Sequence, residues 1–383
     1  MENLSYIEVS KSAILHNFLQ FRKFIHSDTK IISVLKANAY GHGIQQLTPI
    51  IESQTDYFAV DDIEELRTLR QVTQKPTLIL GYILKDQLEE ALALNADIVI
   101  YDIERATLLD QIARKHDTKA KIHIKIDAAL GRQGVLPSEL EHFINHLSQL
   151  KNLEVVAAYA HFANIEDIGD PTEGASEFSH ARKQIEIFKN AVENIVKKQF
   201  PQVFTHISST AGTIVYEKNH HHSDFIRLGI GLYGLWPSQN IQRVLEPQGF
   251  TLKPALRWVS HIAQVKELPA NSSIGYGLTF TTYKPTKIAI IPQGYSDGYD
   301  RGLSNKGAVL IQSTRCPILG RVMMNMIVAD ITELDDVQPE DEVILLGAQG
   351  QEQITVEEFA EKAETINYEV IARINPLLPR VLT

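Results

Sequence analysis

Eight short runs of apolar and β-branched residues recur along the first 235 residues, and stretches with helical spacing separate them. The runs lie at 30–35, 56–60, 76–80, 97–101, 121–126, 154–162, 202–207 and 224–230. Runs that are apolar almost throughout are typical of parallel strands buried on both faces. Eight such strands alternating with helices predict an α/β fold of the (β/α)8 barrel type. An open doubly wound sheet is the alternative that periodicity alone leaves open.

The stretches between the runs have apolar residues at helical spacing. They lie at 12–25, 61–72, 86–94, 103–116, 138–150 and 176–200. In 61–72, Asp61 is followed three residues later by Glu64, a spacing that indicates a capping box. Ile63, Leu66 and Leu69 then recur on one face. We therefore expect this helix to begin at Asp61.

The pattern changes after residue 236. Strand-like runs follow at 261–268, 287–293, 308–312, 326–331 and 342–347, separated by clusters of Gly, Pro, Asn and Asp. Short helices are predicted at 355–364 and 368–374. The chain is therefore interpreted as a barrel of residues 11–236 and a C-terminal, mostly antiparallel β domain of residues 237–383, with or without residues 1–10.

Composition narrows the function classes. The formal net charge of −10 disfavours binding to a nucleic acid backbone. One cysteine, Cys316, excludes a disulfide framework within the chain and a cysteine zinc cluster. No apolar run has the length of a membrane span, and the first residues lack a signal-peptide pattern. We expect a cytoplasmic protein without a metal site, and we interpret the histidines at 220–222 as a solvated turn.

The segment VLKANAYGHG, residues 34–43, places Lys36 at the end of the first predicted barrel strand. Barrel enzymes gather their reacting groups at the carboxyl ends of the strands. A partly desolvated amine there is a nucleophile for carbonyl groups. The alternative interpretation is a lysine whose ammonium group reaches solvent at the barrel mouth.

Two later segments have the composition of an anion pocket. SSTAG, residues 208–212, follows the seventh strand and begins a helical stretch, and RLGIGLYG, residues 227–234, ends the eighth. Backbone N–H groups at a helix start suit a phosphate, and glycines let the backbone approach a ligand. Ordinary loop chemistry is the alternative, since Ser, Thr and Gly are common in turns.

These three segments resemble motifs of the alanine racemase family, which uses pyridoxal 5′-phosphate on a fold-type III barrel. The resemblance implies that Lys36 carries the cofactor covalently and that Arg227 faces its pyridine nitrogen. It also implies that the phosphate is held by Tyr40, Ser209, Thr210 and the backbone of Gly229 and Ile230. The family usually has Asn-Ser where this chain has Ser209-Thr210, so one hydroxyl is retained with an added methyl group.

The segment HIKIDAALGRQG, residues 123–134, resembles another motif of the family. It implies that Arg132 lies near the phenolic oxygen of the cofactor and the substrate carboxylate, and that Lys125 occupies a position carbamylated in several members. Ala128, Ala129 and Leu130 depart from the Thr, Gly and Met of the family pattern. In YAHFAN, His161 matches the histidine that stacks beneath the pyridine ring.

Racemisation needs a proton removed from one face of Cα and returned on the other, which two opposed acid–base groups do most simply. The segment SSIGYGLTF, residues 272–280, resembles the motif of the second base, which would be Tyr276, delivered from the partner subunit of a homodimer. Further matches imply substrate contacts by Tyr295, Arg301, the Met324 backbone N–H and the size-restricting Tyr368. Asn325 replaces an aspartate often seen in the family.

The matches run from Lys36 to Tyr368 in the order of the family. They imply a homodimer with shared active sites that interconverts L- and D-alanine for peptidoglycan synthesis. A racemase of another small amino acid, or of a broader range, is an alternative. A decarboxylase of the same fold is a weaker one, because it places an acidic residue where Arg227 stands. The second domain argues against a non-catalytic, single-barrel protein that binds pyridoxal phosphate.

Overall fold

The computed structural model describes residues 3–165, 179–217 and 223–383. The histidines at 220–222 and the first three residues of the helix predicted at 176–200 lie outside these ranges. The chain forms two compact units. One contains Met1–Ala13, Asn38–Leu47 and Pro254–Thr383, and the other contains Ile14–Ala37 and Thr48–Lys253. The units thus change between Lys253 and Pro254, whereas the sequence-based boundary is between residues 236 and 237.

The larger unit is built on eight parallel strands, as the hydrophobic runs predict. After β1 (Tyr6–Val9), these are β2 (Lys30–Val34), β3 (Tyr57–Val60), β4 (Thr77–Ile79), β5 (Ala96–Ile100), β6 (Ala120–Lys125), β7 (Leu153–Tyr159), β8 (Phe204–His206) and β9 (Phe225–Leu228). They pair in the order β8-β7-β6-β5-β4-β3-β2-β9. The last strand returns to pair with the first, Lys30 opposite Phe225, which a doubly wound sheet does not do.

The barrel closes between β8 and β9. The backbone N–H of Arg227 in β9 donates to the carbonyl oxygen of Ser208, just after β8, at 2.9 Å. The strands are buried almost throughout, and every residue of β5 and of β9 is buried. This burial on both faces is the physical reason that the runs lack polar alternation. The predicted barrel is confirmed.

Each stretch with helical spacing contains a helix, most with shorter bounds than predicted, and the structure adds helices that the spacing did not predict, among them Ile44–Ile51 and Gln239–Leu245. The helices are Lys11–Phe24, Lys36–Tyr40, Ile44–Ile51, Ile63–Arg70, Leu88–Ala93, Ile103–Lys115, Leu140–Leu147, Ser179–Ala191, Lys197–Gln199, Thr210–Gly212, Gln239–Leu245, Val356–Ala363 and Asn367–Ala372. Wider π-type turns follow two of them, at Val192–Val196 and Thr213–Glu217. None of the helices in the described ranges has both the length and the apolar character needed to cross a membrane.

The predicted capping box at Asp61 is wrong by one residue. The N-cap of Ile63–Arg70 is Asp62, whose carboxylate accepts from the Glu65 N–H at 2.9 Å. Glu65 in turn accepts from the Asp61 N–H at 2.8 Å. Asp61 and Asp62 are adjacent acidic residues that each precede a glutamate by three positions, so the spacing alone does not distinguish them.

The smaller unit is mostly antiparallel, as predicted. Its remaining strands are β10 (Leu256–His261), β11 (Gln264–Leu268), β12 (Ser273–Ile274), β13 (Phe280–Thr281), β14 (Thr286–Ile291), β15 (Ala308–Ile311), β16 (Thr314–Pro317), β17 (Ile327–Asp330), β18 (Glu342–Gln349), β19 (Glu352–Ile354) and β20 (Arg380–Leu382). One sheet has the order β16-β15-β18-β10-β1-β20, with β19 paired to β18. The N-terminal β1 lies in this sheet, antiparallel to β10 and parallel to β20.

Candidate active site

Lys36 lies two residues after β2 and is followed by a left-handed helical turn. Ala37, Asn38, Ala39 and Tyr40 all have φ between 50° and 54°. None of them is glycine, and each such residue costs about 1–2 kcal/mol relative to the right-handed form. The Gly43 N–H donates to the Asn38 carbonyl at 2.9 Å and helps to close the turn. Strained backbone of this kind is concentrated at functional sites, which favours a functional interpretation of Lys36.

A group of cationic side chains lies at the carboxyl ends of the barrel strands. Lys125 is the last residue of β6. Burial and then the positive charges of Arg132, Arg227 and Lys36 together lower its pKa to about 8. The Lys125 ammonium donates to Gln133 Oε1 at 3.2 Å. Positive charges that lie close together repel one another, and an anionic ligand bound among these four groups would offset the repulsion.

Arg227 in β9 is held by five hydrogen bonds. Its Nη1 donates to His206 Nδ1 at 2.6 Å and to the His206 carbonyl at 3.2 Å. Its Nη2 donates to His161 Nδ1 at 3.0 Å and to the carbonyls of Ala160 and Ile207 at 3.0 and 2.9 Å. All five bonds are made by Nη1 and Nη2.

The two histidines that contact Arg227 are neutral. Burial lowers the pKa of both His161 and His206 well below 6.5, and the charge of Arg227 lowers it further. His206 also stacks on Tyr159, with ring centroids 4.6 Å apart and an angle of 7° between the planes. Burial lowers the pKa of Arg227 itself to about 10, so the guanidinium stays protonated at neutral pH.

The loops after β8 and β9 are joined by one hydroxyl group. Thr210 Oγ1 accepts from the Gly229 N–H at 3.2 Å and from the Gly231 N–H at 3.3 Å. A Cβ at Gly231 would lie 2.5 Å from Phe21 Cζ and 2.7 Å from Thr210 Cγ2, so only glycine allows this approach. The hydroxyl keeps its own proton for donation. The resemblance assigns the Gly229 N–H to a phosphate. Because this N–H already donates to Thr210, a phosphate would have to accept from it alongside the Thr210 hydroxyl.

These residues fit a small, strongly anionic cofactor such as pyridoxal phosphate. The barrel unit alone brings Lys36, Arg132 and Arg227 close to Lys125 and His161, because the charges of the first three lower the pKa of the other two. An amine can react with the aldehyde of that molecule, and cationic neighbours suit its phenolate. The polar loop after β8 suits its phosphate.

In the smaller unit, Tyr276 lies at an exposed tip. It begins a short 3₁₀ turn, Tyr276–Leu278, between the paired strands β12 and β13. Gly275 and Gly277, on either side of it, have φ of 73° and 71°. The Tyr276 side chain is 73% exposed in the single chain, and Leu278 is 69% exposed. Large apolar groups displayed in this way are typical of a surface that another molecule covers.

Tyr295, Met324 and Asn325 are held together in the same unit. The Tyr295 N–H donates to the Met323 carbonyl at 3.0 Å, and the Ser296 N–H donates to the Met324 carbonyl at 3.0 Å. Asn325 Nδ2 donates to Ser296 Oγ at 2.7 Å. Asn325 thus has a local hydrogen bond that needs no charge at this position. Arg301 begins a separate 3₁₀ turn, Arg301–Leu303.

Tyr40 and Tyr368 are neighbours within the smaller unit, to which Asn38–Leu47 belongs. Their ring centroids are 6.4 Å apart and their planes are tilted by 52°. The two tyrosines that the resemblance assigns to phosphate binding and to substrate size are therefore packed side by side.

Sequence reasoning missed the buried polar residues beneath Arg227. His206, His123 and Asp97 are all at most 2% exposed and lie within barrel strands. The signal was present, because each is a polar residue inside an apolar run. Tyr159, whose buried hydroxyl makes no hydrogen bond among the described residues, was also missed.

Comparison with known families covers nearly the whole chain. Residues 9–237 match the family model described as alanine racemase, N-terminal domain, and residues 255–382 match that of alanine racemase, C-terminal domain. Alanine racemase 2 of Caldanaerobacter subterraneus subsp. tengcongensis is 35% identical over 98% of this chain and 94% of its own length. The alanine racemase of Halothermothrix orenii is 36% identical over 98% and 96%.

Solved structures show the same similarity. The crystal structure of the Bacillus anthracis alanine racemase with bound L-Ala-P has a TM-score of 0.90 and 30% identity, covering 100% of this chain and 96% of that one. The alanine racemase of Streptomyces lavendulae has a TM-score of 0.90 and 26% identity, covering 100% and 98%.

Proposed function

We propose that this chain, which belongs to the alanine racemase family, interconverts L-alanine and D-alanine with pyridoxal 5′-phosphate as its cofactor. The observation that carries the proposal is the group of cationic side chains at the carboxyl ends of the barrel strands, in which Lys36, Arg132 and Arg227 lower the pKa of Lys125 and His161. The D-alanine formed would supply peptidoglycan synthesis.

The residues proposed to hold the cofactor follow the family resemblance. Lys36 binds it covalently, and the phosphate is held by the hydroxyls of Tyr40, Ser209 and Thr210 and by the backbone at Gly229 and Ile230. The Thr210 hydroxyl supports this role because it accepts from two backbone N–H groups and retains its proton. When bound, pyridoxal phosphate supplies an electron sink that makes the Cα proton of the attached amino acid easier to remove.

Arg227 limits which reaction occurs. Its guanidinium is protonated at neutral pH and can donate to the ring nitrogen without giving up a proton. The bonds through Nη1 and Nη2 fix the orientation of the group. A ring nitrogen that accepts from it would stay unprotonated, because the guanidinium can only donate. A weaker electron sink favours return of the proton to Cα over transamination or decarboxylation. His161, which accepts from Arg227, would stack beneath the ring.

We assign the two proton transfers to Lys36 on one face of Cα and to Tyr276 on the other. Tyr276 would come from the second copy in a homodimer. The exposure of Tyr276 and Leu278 in the single chain supports this assignment. The Met324 N–H and Arg132 would bind the substrate carboxylate, while Tyr295, Arg301 and Tyr368 would border its path and restrict the side chain to a small one.

Lys125 is proposed to be a carbamate in the active enzyme. Its pKa of about 8 leaves about a tenth of the amine neutral at pH 7. The neutral nitrogen attacks the carbon of carbon dioxide, an N–C bond forms, and the proton displaced from nitrogen goes to water. The resulting anion would accept charge-assisted hydrogen bonds from Arg132 and hold it in place.

The decisive experiment supplies the purified protein with pyridoxal phosphate and L-alanine and measures D-alanine and carbon dioxide. We expect D-alanine to accumulate toward equal amounts of the two enantiomers. Lys36→Ala should reduce this rate by at least about 10³-fold and prevent covalent trapping of the cofactor by borohydride. Lys30→Ala, at the opposite end of β2, is the matched control and should retain both. Carbon dioxide released without D-alanine would refute the racemase assignment, and a panel of small amino acids would test the broader alternative.

A further inference from the structure

A continuous series of hydrogen bonds runs through the barrel interior to Arg227. The Tyr57 hydroxyl donates to Asp97 Oδ2 at 2.6 Å, and His123 Nε2 lies 3.1 Å from the same oxygen. His123 Nδ1 lies 3.0 Å from His206 Nε2, and His206 Nδ1 accepts from Arg227 at 2.6 Å. The five residues come from β3, β5, β6, β8 and β9, and we call them the buried chain.

The donor Arg227 and the acceptor Asp97 together determine which nitrogen of each histidine between them carries the proton. A guanidinium can only donate, so His206 Nδ1 must carry a lone pair. Neutral His206 then has its proton on Nε2 and donates it to His123 Nδ1. His123 in turn must have its proton on Nε2 and donate to Asp97. An ionised carboxylate can only accept, so this arrangement satisfies the chain from end to end.

The pKa shifts of neighbouring groups support donation that runs from Arg227 toward Asp97. Burial, followed by the charge and hydrogen bond of Asp97, raises the pKa of Tyr57 far above 10, so Tyr57 is a donor at all ordinary pH values. Burial keeps His206 neutral. The negative charge of Asp97 raises the pKa of Arg70 against the larger lowering by burial, which indicates a compensating cation nearby.

Without the negative charge of Asp97, only Arg227 would still favour this direction of donation, and the far end of the series would no longer require it. A neutral amide at residue 97 could rotate and donate to His123 Nε2, and both imidazoles could then reverse their tautomers. His206 would present an N–H to the N–H of Arg227, and the two donors would repel each other. The guanidinium would lose one of the bonds that set its plane.

We propose that Asp97 is a positioning residue: as the acceptor for His123, it reinforces the tautomer in which His206 Nδ1 is unprotonated and so helps to hold Arg227 in the orientation that its site requires. Asp97 acts through two imidazoles and contacts neither substrate nor cofactor. Only the expected effect of Asp97 on turnover rests on the proposed function. The assignment of tautomers follows from the hydrogen bonds alone.

The tautomers can be read directly by ¹⁵N NMR of the full-length protein with labelled histidine, with and without pyridoxal phosphate. We expect a pyridine-type Nδ1 and a pyrrole-type Nε2 for both His206 and His123, with assignments made from single His→Gln variants. In Asp97→Asn, we expect His206 to show an averaged or reversed pattern. Tyr57→Phe is the matched control and should keep the wild-type pattern, because Asp97 remains an acceptor. A protonated Nδ1 on His206 in the unmodified protein would overturn the proposal.

Turnover provides the second measurement. Asp97→Asn should lower kcat by about 10- to 100-fold, the range for partners that orient a functional side chain, with little change in KM. Tyr57→Phe should stay within about 3-fold of wild type. Unchanged kcat and unchanged tautomers in Asp97→Asn would refute the role of Asp97. If the unmodified protein did not racemise alanine, the proposed function would fail, and the NMR result would still decide the tautomers.

Discussion

Arg227 and His206 are joined by a short hydrogen bond between side chains, with 2.6 Å between Nη1 and Nδ1. Both side chains are buried, and they come from β9 and β8, the two strands between which the barrel closes. The residue proposed to control the cofactor is therefore anchored to the frame of the fold. The position of Arg227 therefore depends on its own strand β9 and equally on β8, which barrel closure brings beside it.

Replacing His206 tests this anchoring. His206→Phe keeps a flat ring on Tyr159 but removes the acceptor for Arg227, leaving a buried charged donor with one bond fewer. We expect the free energy of unfolding to fall by about 1–3 kcal/mol and kcat to decrease in both directions. Urea unfolding and alanine racemisation measure the two effects. His146→Phe, on the helix Leu140–Leu147, is the control. An unchanged kcat in His206→Phe would contradict the anchoring role.

Tyr276 can be tested by following the α-proton. In Tyr276→Phe, exchange of the α-proton with deuterated water should persist for the enantiomer whose proton faces Lys36. It should fall by about 10²-fold or more for the other enantiomer, because that face has lost its base. Tyr283→Phe, a neighbouring exposed tyrosine, should affect neither. Equal small losses for both enantiomers would remove Tyr276 from the reaction.

Mixed dimers test whether sites are shared between subunits. An equal mixture of inactive Lys36→Ala and Tyr276→Phe chains, allowed to exchange subunits, should recover about a quarter of the wild-type activity. Half of the dimers would be hybrids, and one of the two sites in each hybrid would contain both functional groups. No recovery, with subunit exchange confirmed by native mass spectrometry, would show that both groups act within one chain.

The carbamate on Lys125 makes a prediction with a definite dependence on pH. Because burial and nearby cations lower the pKa of Lys125 to about 8, its reactive neutral form grows as pH rises through 8, well below the 10.5 of an ordinary lysine. With ¹³C-bicarbonate, we expect a carbamate NMR signal that is strong at pH 8 and weaker at pH 6. Lys125→Ala should abolish the signal, and Lys121→Ala, on the same strand, should retain it. A signal that survives Lys125→Ala belongs to another amine.

The helix cap gives a test of the fold. Asp62→Ala should lower the free energy of unfolding by about 1 kcal/mol, because it removes the acceptor for the Glu65 N–H. Glu64→Ala, which changes the residue of the wrongly predicted capping box, should cost less, since exposed ion pairs contribute little. Thermal or urea unfolding measures both. A larger loss for Glu64→Ala would contradict the assigned cap.

Part of the candidate site could be predicted because its residues lie in contiguous segments. Lys36 follows an apolar run, and Thr210 and Arg227 stand in Gly- and Ser-rich segments at the ends of two later runs, so strand order alone predicts that they lie at one end of a barrel. Their roles toward a cofactor stay predictions. The left-handed turn after Lys36 could not be predicted, since Ala, Asn and Tyr have no local preference for it.

Hydrophobic periodicity and motif order are properties of the chain, and they were enough to predict the eight strands, the mostly antiparallel character of the second unit and the family. The meeting of Asp97, His123 and His206 beneath Arg227 arises only when the chain folds. In the sequence, Asp97 and His123 are 26 positions apart, and His123 and His206 are 83 apart. No local sequence pattern links them. Barrel closure brings β8 next to β9, and burial there requires each polar group to find a partner.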